Sequence, residues 1–259
     1  MKMTGRTVLV TGGSSGIGLE LARQLVARGN TVIVTGRDQH RLDEARQLLP
    51  SLHTFQSDVR DPASIQTLFA AVTGQFPGLD TLVNNAGVMR NIKLAGGRAL
   101  ADVTEEIEIN LNGPIRMIQQ FLPWLLKHPH GLIVNVSSGL AFVPFPAAPV
   151  YSASKSALHA YTQCLRAQLQ HSAVTVVELA PPGTETPLLR AEFAEEMKNE
   201  KGMDPVLMVQ HCIRQIEAGQ LDICPGLSKV LKVASRVAPG LIFKQMTKLS
   251  RLAPVRPLT

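Results

Sequence analysis

The chain has 259 residues, with 26 basic and 20 acidic side chains and a net charge of +6. At 45% hydrophobic and 18% charged residues it is neither disordered nor collagen-like, and its length suits one large domain with a full core. Cys164, Cys212 and Cys224 form no C-x-x-C pair, which argues against a disulfide framework or a metal site and for a reducing, cytoplasmic setting. No apolar run approaches the roughly 18 residues of a membrane span, and the start lacks a signal-peptide pattern.

In chain order, short β-branched runs alternate with amphipathic segments. Strands are expected at Thr7–Thr11, Thr31–Thr35, Leu52–Gln56, Leu79–Val83, Leu132–Ser137 and Val174–Leu179. Helices are expected near 16–28, 38–49, 62–73, 104–127 and 150–170, with Asp61-Pro62 as a helix start signal. This alternation predicts an α/β fold, a doubly wound, mostly parallel sheet covered by helices on both faces, with its site beyond the carboxyl ends of the strands.

Directly after the first strand comes Thr11-Gly12-Gly13-Ser14-Ser15-Gly16-Ile17-Gly18. Such a turn lets backbone approach a pyrophosphate at a helix N-terminus, so Gly12, Ser14, Ser15, Gly16, Ile17 and Gly18 are candidate cofactor contacts. The spacing is G-x-x-x-G-x-G, not G-x-G-x-x-G, and a plain glycine-rich turn is the competing reading.

At the end of the second strand, Thr35-Gly36-Arg37 stands where NAD-binding folds place an acid. Gly36 removes a carboxylate that would repel a 2′-phosphate and Arg37 can grip one, which favours NADP(H) over NAD(H). Asp38 is either a residual ribose acceptor or the N-cap of the next helix. Asp58 and Val59 follow the third strand, where Asp58 either accepts from the adenine amino group or caps the Asp61 helix.

Ser138 ends the fifth strand, and Tyr151 and Lys155, four residues apart, share a helix face. Bringing a phenol from its ordinary pKa of ~10 toward neutrality takes ~4 kcal/mol for three units. An ammonium ~4 Å away supplies ~1 kcal/mol in water but about 4 at an effective dielectric near 20. The pair therefore suits acid–base chemistry in a pocket from which water is largely excluded. Singly, each residue could be a core tyrosine, a solvated lysine or a turn serine.

Thr11 to Gly18, Asn84-Asn85-Ala86-Gly87, Asn110, Ser138 and Tyr151-x-x-x-Lys155 together resemble the short-chain dehydrogenase/reductase family, over about residues 5–190. The resemblance implies a Rossmann-type sheet of about seven strands that moves hydride between NAD(P) and a carbonyl or alcohol. It implies that Tyr151 is the general acid/base, that Ser138 polarises the carbonyl, and that Lys155 holds the nicotinamide ribose and lowers the tyrosine pKa. Asn110 would support a water relaying protons to Lys155, and Asn85, Ala86 and Gly87 would line the cofactor site. Met1–Thr4, Ser138–Phe142 and Glu178–Pro182 are similar to the DltE-type subgroup. The chain departs from the family at Pro181-Pro182-Gly183-Thr184-Glu185-Thr186, where Pro182 takes a glycine position and cannot donate a backbone hydrogen bond. Pro181 and Thr186 remain candidate cofactor contacts.

Gly139–Val150, with Phe142, Val143, Phe145 and three prolines, predicts an apolar pocket wall, and residues 186–203 the lid usual in this family. The domain is expected to span 5–226, followed by an appendage at 227–259 with seven basic residues and no acidic one. Two basic amphipathic helices are read there, near 227–238 and 241–252. They cover the domain or an oligomer partner, or lie on an anionic membrane. Among these charges only Phe243 is aromatic, which argues against nucleic acid. The expected function is NADP(H)-dependent oxidoreduction of a small carbonyl or alcohol by a homodimer or homotetramer; a non-catalytic NADP(H)-binding regulator is the alternative.

Overall fold

In the computed structural model, residues 1–196, 198 and 201–252 are described. The strands are β1 (Thr7–Thr11), β2 (Thr31–Gly36), β3 (His53–Gln56), β4 (Leu79–Asn84), β5 (Leu132–Val136), β6 (Thr175–Leu179) and β7 (Asp222–Ile223). They form one parallel sheet in the order β3-β2-β1-β4-β5-β6-β7. The order reverses between β1 and β4, and the crevice this opens at their carboxyl ends is where such sheets bind ligands. Runs such as Leu132–Val136 are buried on both sides, as a helix-covered parallel sheet requires.

One core lies between the sheet and α1 (Gly16–Val26), α2 (Gln39–Leu48) and α8 (Pro205–Glu217), with Leu21, Leu42 and Met208 among its members. The other lies under α3 (Pro62–Gln75), α5 (Gly113–Leu125) and α6 (Pro149–Gln168), centred on Met117 and Phe121. Asp61 caps α3 through the Ala63 N–H with Pro62 in the first turn, as read from the sequence. Asp204-Pro205 repeats that signal at α8, a helix the sequence reading passed over.

The helix expected at 104–127 is interrupted. α4 (Leu100–Ile107) runs into a π turn at Glu108–Asn112 before α5 begins. Pro114 is the physical reason: it cannot donate to the Asn110 carbonyl four residues back, and its ring crowds that carbonyl. A short α7 (Pro187–Ala191) follows β6, and α9 (Leu227–Val237) and α10 (Pro239–Leu249) close the chain. Arg256 and the rest of 253–259 lie outside the described residues.

Phe121 is fully buried and meets Phe69 edge-on at 5.1 Å. Phe121→Ala is expected to lower the unfolding free energy by about 3–5 kcal/mol, measured by urea titration.

Candidate active site

Segments at the carboxyl ends of β1, β4, β5 and β6 meet α6, α9 and α10 around a cavity of about 320 Å³. At its first end, Gly12 and Gly16 take positive φ values of 64° and 53°. A Cβ on Gly12 would stand 2.8 Å from the Ala86 backbone, and one on Gly18 2.3 Å from the Gly12 carbonyl, so neither site admits a side chain. The Asn85 amide donates to the Thr11 and Gly12 carbonyls at 3.0 Å, and the Thr11 hydroxyl accepts from the Asn85 and Ala86 N–H groups at 3.1 Å. Asn84-Asn85-Ala86-Gly87 thus braces the glycine turn.

Asp38 and Asp61 cap α2 and α3, whereas Ser15 makes no side-chain cap on α1. The first N–H groups of α1 are therefore not taken up by their own cap beside the lining formed by Ser14, Ser15, Gly16 and Ile17. A glycine cradle with an uncapped helix end fits a dinucleotide pyrophosphate. Asp38 accepts from the Arg41 N–H, which assigns it to the helix cap.

Arg37 stands half exposed beyond β2 and pairs loosely with Glu105 at 3.9 Å. Asp58 caps nothing: Arg60 grips it at 2.6 Å and holds its carboxyl below the usual carboxylate range. Val59 is buried, packed where a Cβ on Gly113 would reach it. Gly18, Arg37, Asp58, Val59, Ala86 and Asn110 lie outside the cavity lining, whereas Gly12, Asn85, Gly87, Pro181 and Thr186 belong to it. Pro182 also lines it, so a ring stands where the family has a bare backbone.

At the other end, Ser138, Tyr151 and Lys155 come together, each less than a tenth exposed. The Ser138 hydroxyl lines the cavity beside Tyr151 and accepts from the Leu140 N–H at 3.1 Å. The Lys155 ammonium donates to the Val136 carbonyl at 2.9 Å and stands 5.7 Å from the centre of the Tyr151 ring. Asn110 accepts from the Val88 N–H and donates to the Val88 carbonyl and the Ser154 hydroxyl. Its side chain is thereby spent on structure.

Burial pushes the Tyr151 phenol up to about 12, with Ser138 pulling the other way and the Glu106 charge adding to the rise. Burial draws the Lys155 ammonium down to about 8, opposed by the charge of Glu178. The expected depression of the phenol is absent in this arrangement. Both side chains are buried, but the ammonium is turned to the Val136 carbonyl instead of the phenolic oxygen.

Two buried acids outside the cavity lining act on the site through their charges. Glu178, 2% exposed on β6, accepts from the Ser137 hydroxyl at 2.5 Å and pairs with His159 at 2.7 Å. An acid inside the apolar run Val174–Leu179 was its sequence signal. Glu106 is fully buried on α4; one carboxylate oxygen accepts from the Arg90 N–H and the other has no hydrogen-bond partner among the described residues. Burial raises it to about 7. In a sequence, an acid in the middle of a polar helix reads as a solvated face, so Glu106 gave no sign.

The described part of 186–203 folds over the cavity: Leu189 lines it and Phe193 packs on Phe145 at 6.0 Å. Met197, Asn199 and Glu200 of that segment lie outside the described residues. Leu227, Leu231, Met246 and Leu249 complete the wall, so the tail is part of the site. Among the described residues, no helix is long and apolar enough to cross a membrane, and no group of His, Cys, Asp or Glu is arranged to hold a metal.

Fold and site define a nucleotide-dependent oxidoreductase, and residues 6–197 match the family model described as short chain dehydrogenase; the chain belongs to that family. Among its relatives is the uncharacterized oxidoreductase DltE of Bacillus subtilis (strain 168), 40% identical over 247 residues covering 95% of this chain and 98% of that one. The NADP-dependent 3-hydroxy acid dehydrogenase YdfG of Escherichia coli (strain K12) is 34% identical over 67% of this chain and 71% of its own length. The crystal structure of a variant actinorhodin polyketide ketoreductase with NADPH superimposes with a TM-score of 0.78 at 28% identity, covering 88% and 98% of the two chains.

Glu106 carries a pH prediction. Its folded pKa lies above the unfolded value of 4.5, so the folded state holds the extra proton and stability falls as pH rises from about 4.5 through about 7. Glu106→Gln, which cannot ionise, should gain about 3 kcal/mol at pH 8 and less than about 1 at pH 5, read from urea midpoints at the two pH values.

Proposed function

We propose that the protein is an NADPH-linked reductase of an apolar carbonyl compound, or, run backward, the dehydrogenase of the corresponding secondary alcohol. The observation that carries this reading is one cavity with a glycine cradle at one end and Ser138, Tyr151 and Lys155 at the other. When bound, the cofactor supplies the hydride. Ser138 holds the substrate oxygen against Tyr151, and a phenol at about 12 is protonated at neutral pH, the form that donates to that oxygen. Rotation of Lys155 from Val136 toward the phenol stabilises the negative charge left behind, with ~4 kcal/mol available at ~4 Å in a medium of dielectric near 20. Ser138, Tyr151 and Lys155 are all present and line one cavity, which disfavours a regulator that binds cofactor without turnover.

Preference for NADP(H) is supported by Arg37 with Gly36 beside it and no ribose-binding acid at that strand end. The names of the E. coli relative and the ketoreductase complex agree with it. Met89, Phe145, Leu189 and Leu231 make the substrate end apolar. The half-exposed faces of α5 and α6 suit a homodimer or homotetramer, and three free cysteines suit the cytoplasm.

Tyr151→Phe is expected to lower kcat/KM at least about 100-fold in NADPH oxidation followed by absorbance, with NADPH affinity kept. Undiminished turnover would overturn the assignment. Arg37→Asp is expected to shift the NADPH/NADH ratio of kcat/KM by about 10- to 100-fold toward NADH; a parent enzyme that uses both nucleotides equally contradicts the preference.

A further inference from the structure

Half of the large apolar side chains that stand exposed among the described residues, seven of fourteen, fall within residues 227–252. Of the large apolar residues on α9 only Leu231 is buried; Val230, Val233 and Val237 are exposed, Val237 at 79%. On α10, Leu241 and Phe243 are exposed as well. An apolar surface of this kind marks an interaction site.

Its charge says what covers it. Residues 227–252 carry Lys229, Lys232, Arg236, Lys244, Lys248 and Arg251 and no acidic side chain. Of these, Lys232 reaches an acid, Asp222 at 3.4 Å. A second copy docking face to face would set cations against cations. An anionic lipid surface answers both halves of the pattern: acyl boundary for the valines, headgroups for the lysines.

We propose that the outer face of α9 and α10 docks on an anionic bilayer. The same two helices line the catalytic cavity with Leu231, Met246 and Leu249, and Leu227 both lines the cavity and is 60% exposed. The docked face and the cavity therefore lie on opposite sides of the same two helices. A lipid-dissolved carbonyl reaches the cavity past Leu227 without crossing water. This delivery step rests on the reductase reading; the docking does not.

The experiment is co-sedimentation of the full-length protein with vesicles of phosphatidylglycerol and phosphatidylcholine, and with phosphatidylcholine alone, at low and high salt. Binding is expected to the anionic vesicles, weakening with salt. Val233→Glu/Val237→Glu and Lys244→Glu/Lys248→Glu are each expected to lower it at least about tenfold. None of these four residues lines the cavity, so NADPH binding, followed by its fluorescence, is retained in both variants. Equal sedimentation with the two vesicle types overturns the proposal. So does velocity sedimentation showing an oligomer that Val233→Glu/Val237→Glu dissociates, which would make a second copy the occupant. Failure of turnover with binding intact would count against the reductase reading alone.

Discussion

Holding the Lys155 ammonium away from water is the constraint on which the rest of the site depends. At 3% exposure it has one protein hydrogen bond among the described residues, to the Val136 carbonyl, and a neutral acceptor alone is a poor replacement for hydration. The countercharge is Glu178, equally buried, held between Ser137 after β5 and His159 one helical turn beyond Lys155 on α6. An ammonium that stays charged near neutral pH in a dry pocket depends on that carboxylate. The same burial drives the Tyr151 phenol up, so one physical cause sets the protonation of both groups.

Glu178 is one part of a polar seam between the sheet and α6. Asn84 donates to Asn135, fully buried on β5, and Asn135 donates to the Thr162 hydroxyl on α6. Each bond fixes the helix along its axis and around it, because a slip would strand buried amides without partners. Apolar packing alone tolerates such slips far better. The seam fixes the rotation of α6 by which Tyr151 faces Ser138 and Lys155 faces Val136. Asn84 still has one carbonyl oxygen without a partner among the described residues, a local cost within a network that otherwise specifies one arrangement.

Much of this was legible in the sequence because the signals were local. Strand boundaries followed β-branched runs, the Asp61-Pro62 start was where it was read, and the glycine turn announced the close backbone approaches that Gly12 and Gly18 make. What escaped was set by contacts distant in sequence. The π turn came from Pro114 acting within an otherwise regular helical pattern. Glu106 looked like any surface acid until α4 settled against α6. The inward-facing side of the tail could not be chosen from periodicity, since a stripe of valines and leucines reads alike whether it meets protein or something else. The lowered phenol pKa inferred from the Tyr151 and Lys155 spacing required an orientation of Lys155 that spacing does not encode.

The tail also reaches the chemistry through the turn that follows Ser138. α9 packs on the short 3-10 turn Gly139–Ala141 so closely that a Cβ on Gly139 would stand 2.6 Å from the buried Ser228 hydroxyl oxygen. The turn in turn holds Ser138: the Leu140 N–H donates to the Ser138 hydroxyl, and the Gly139 N–H donates to the carbonyl of Pro181, which lines the same cavity. α9 therefore stands two contacts away from the Ser138 hydroxyl, the group proposed to orient the substrate oxygen. Leu231 on the same helix lines the cavity as well, so the seating of the tail bears on the shape of the pocket and on the position of Ser138 together.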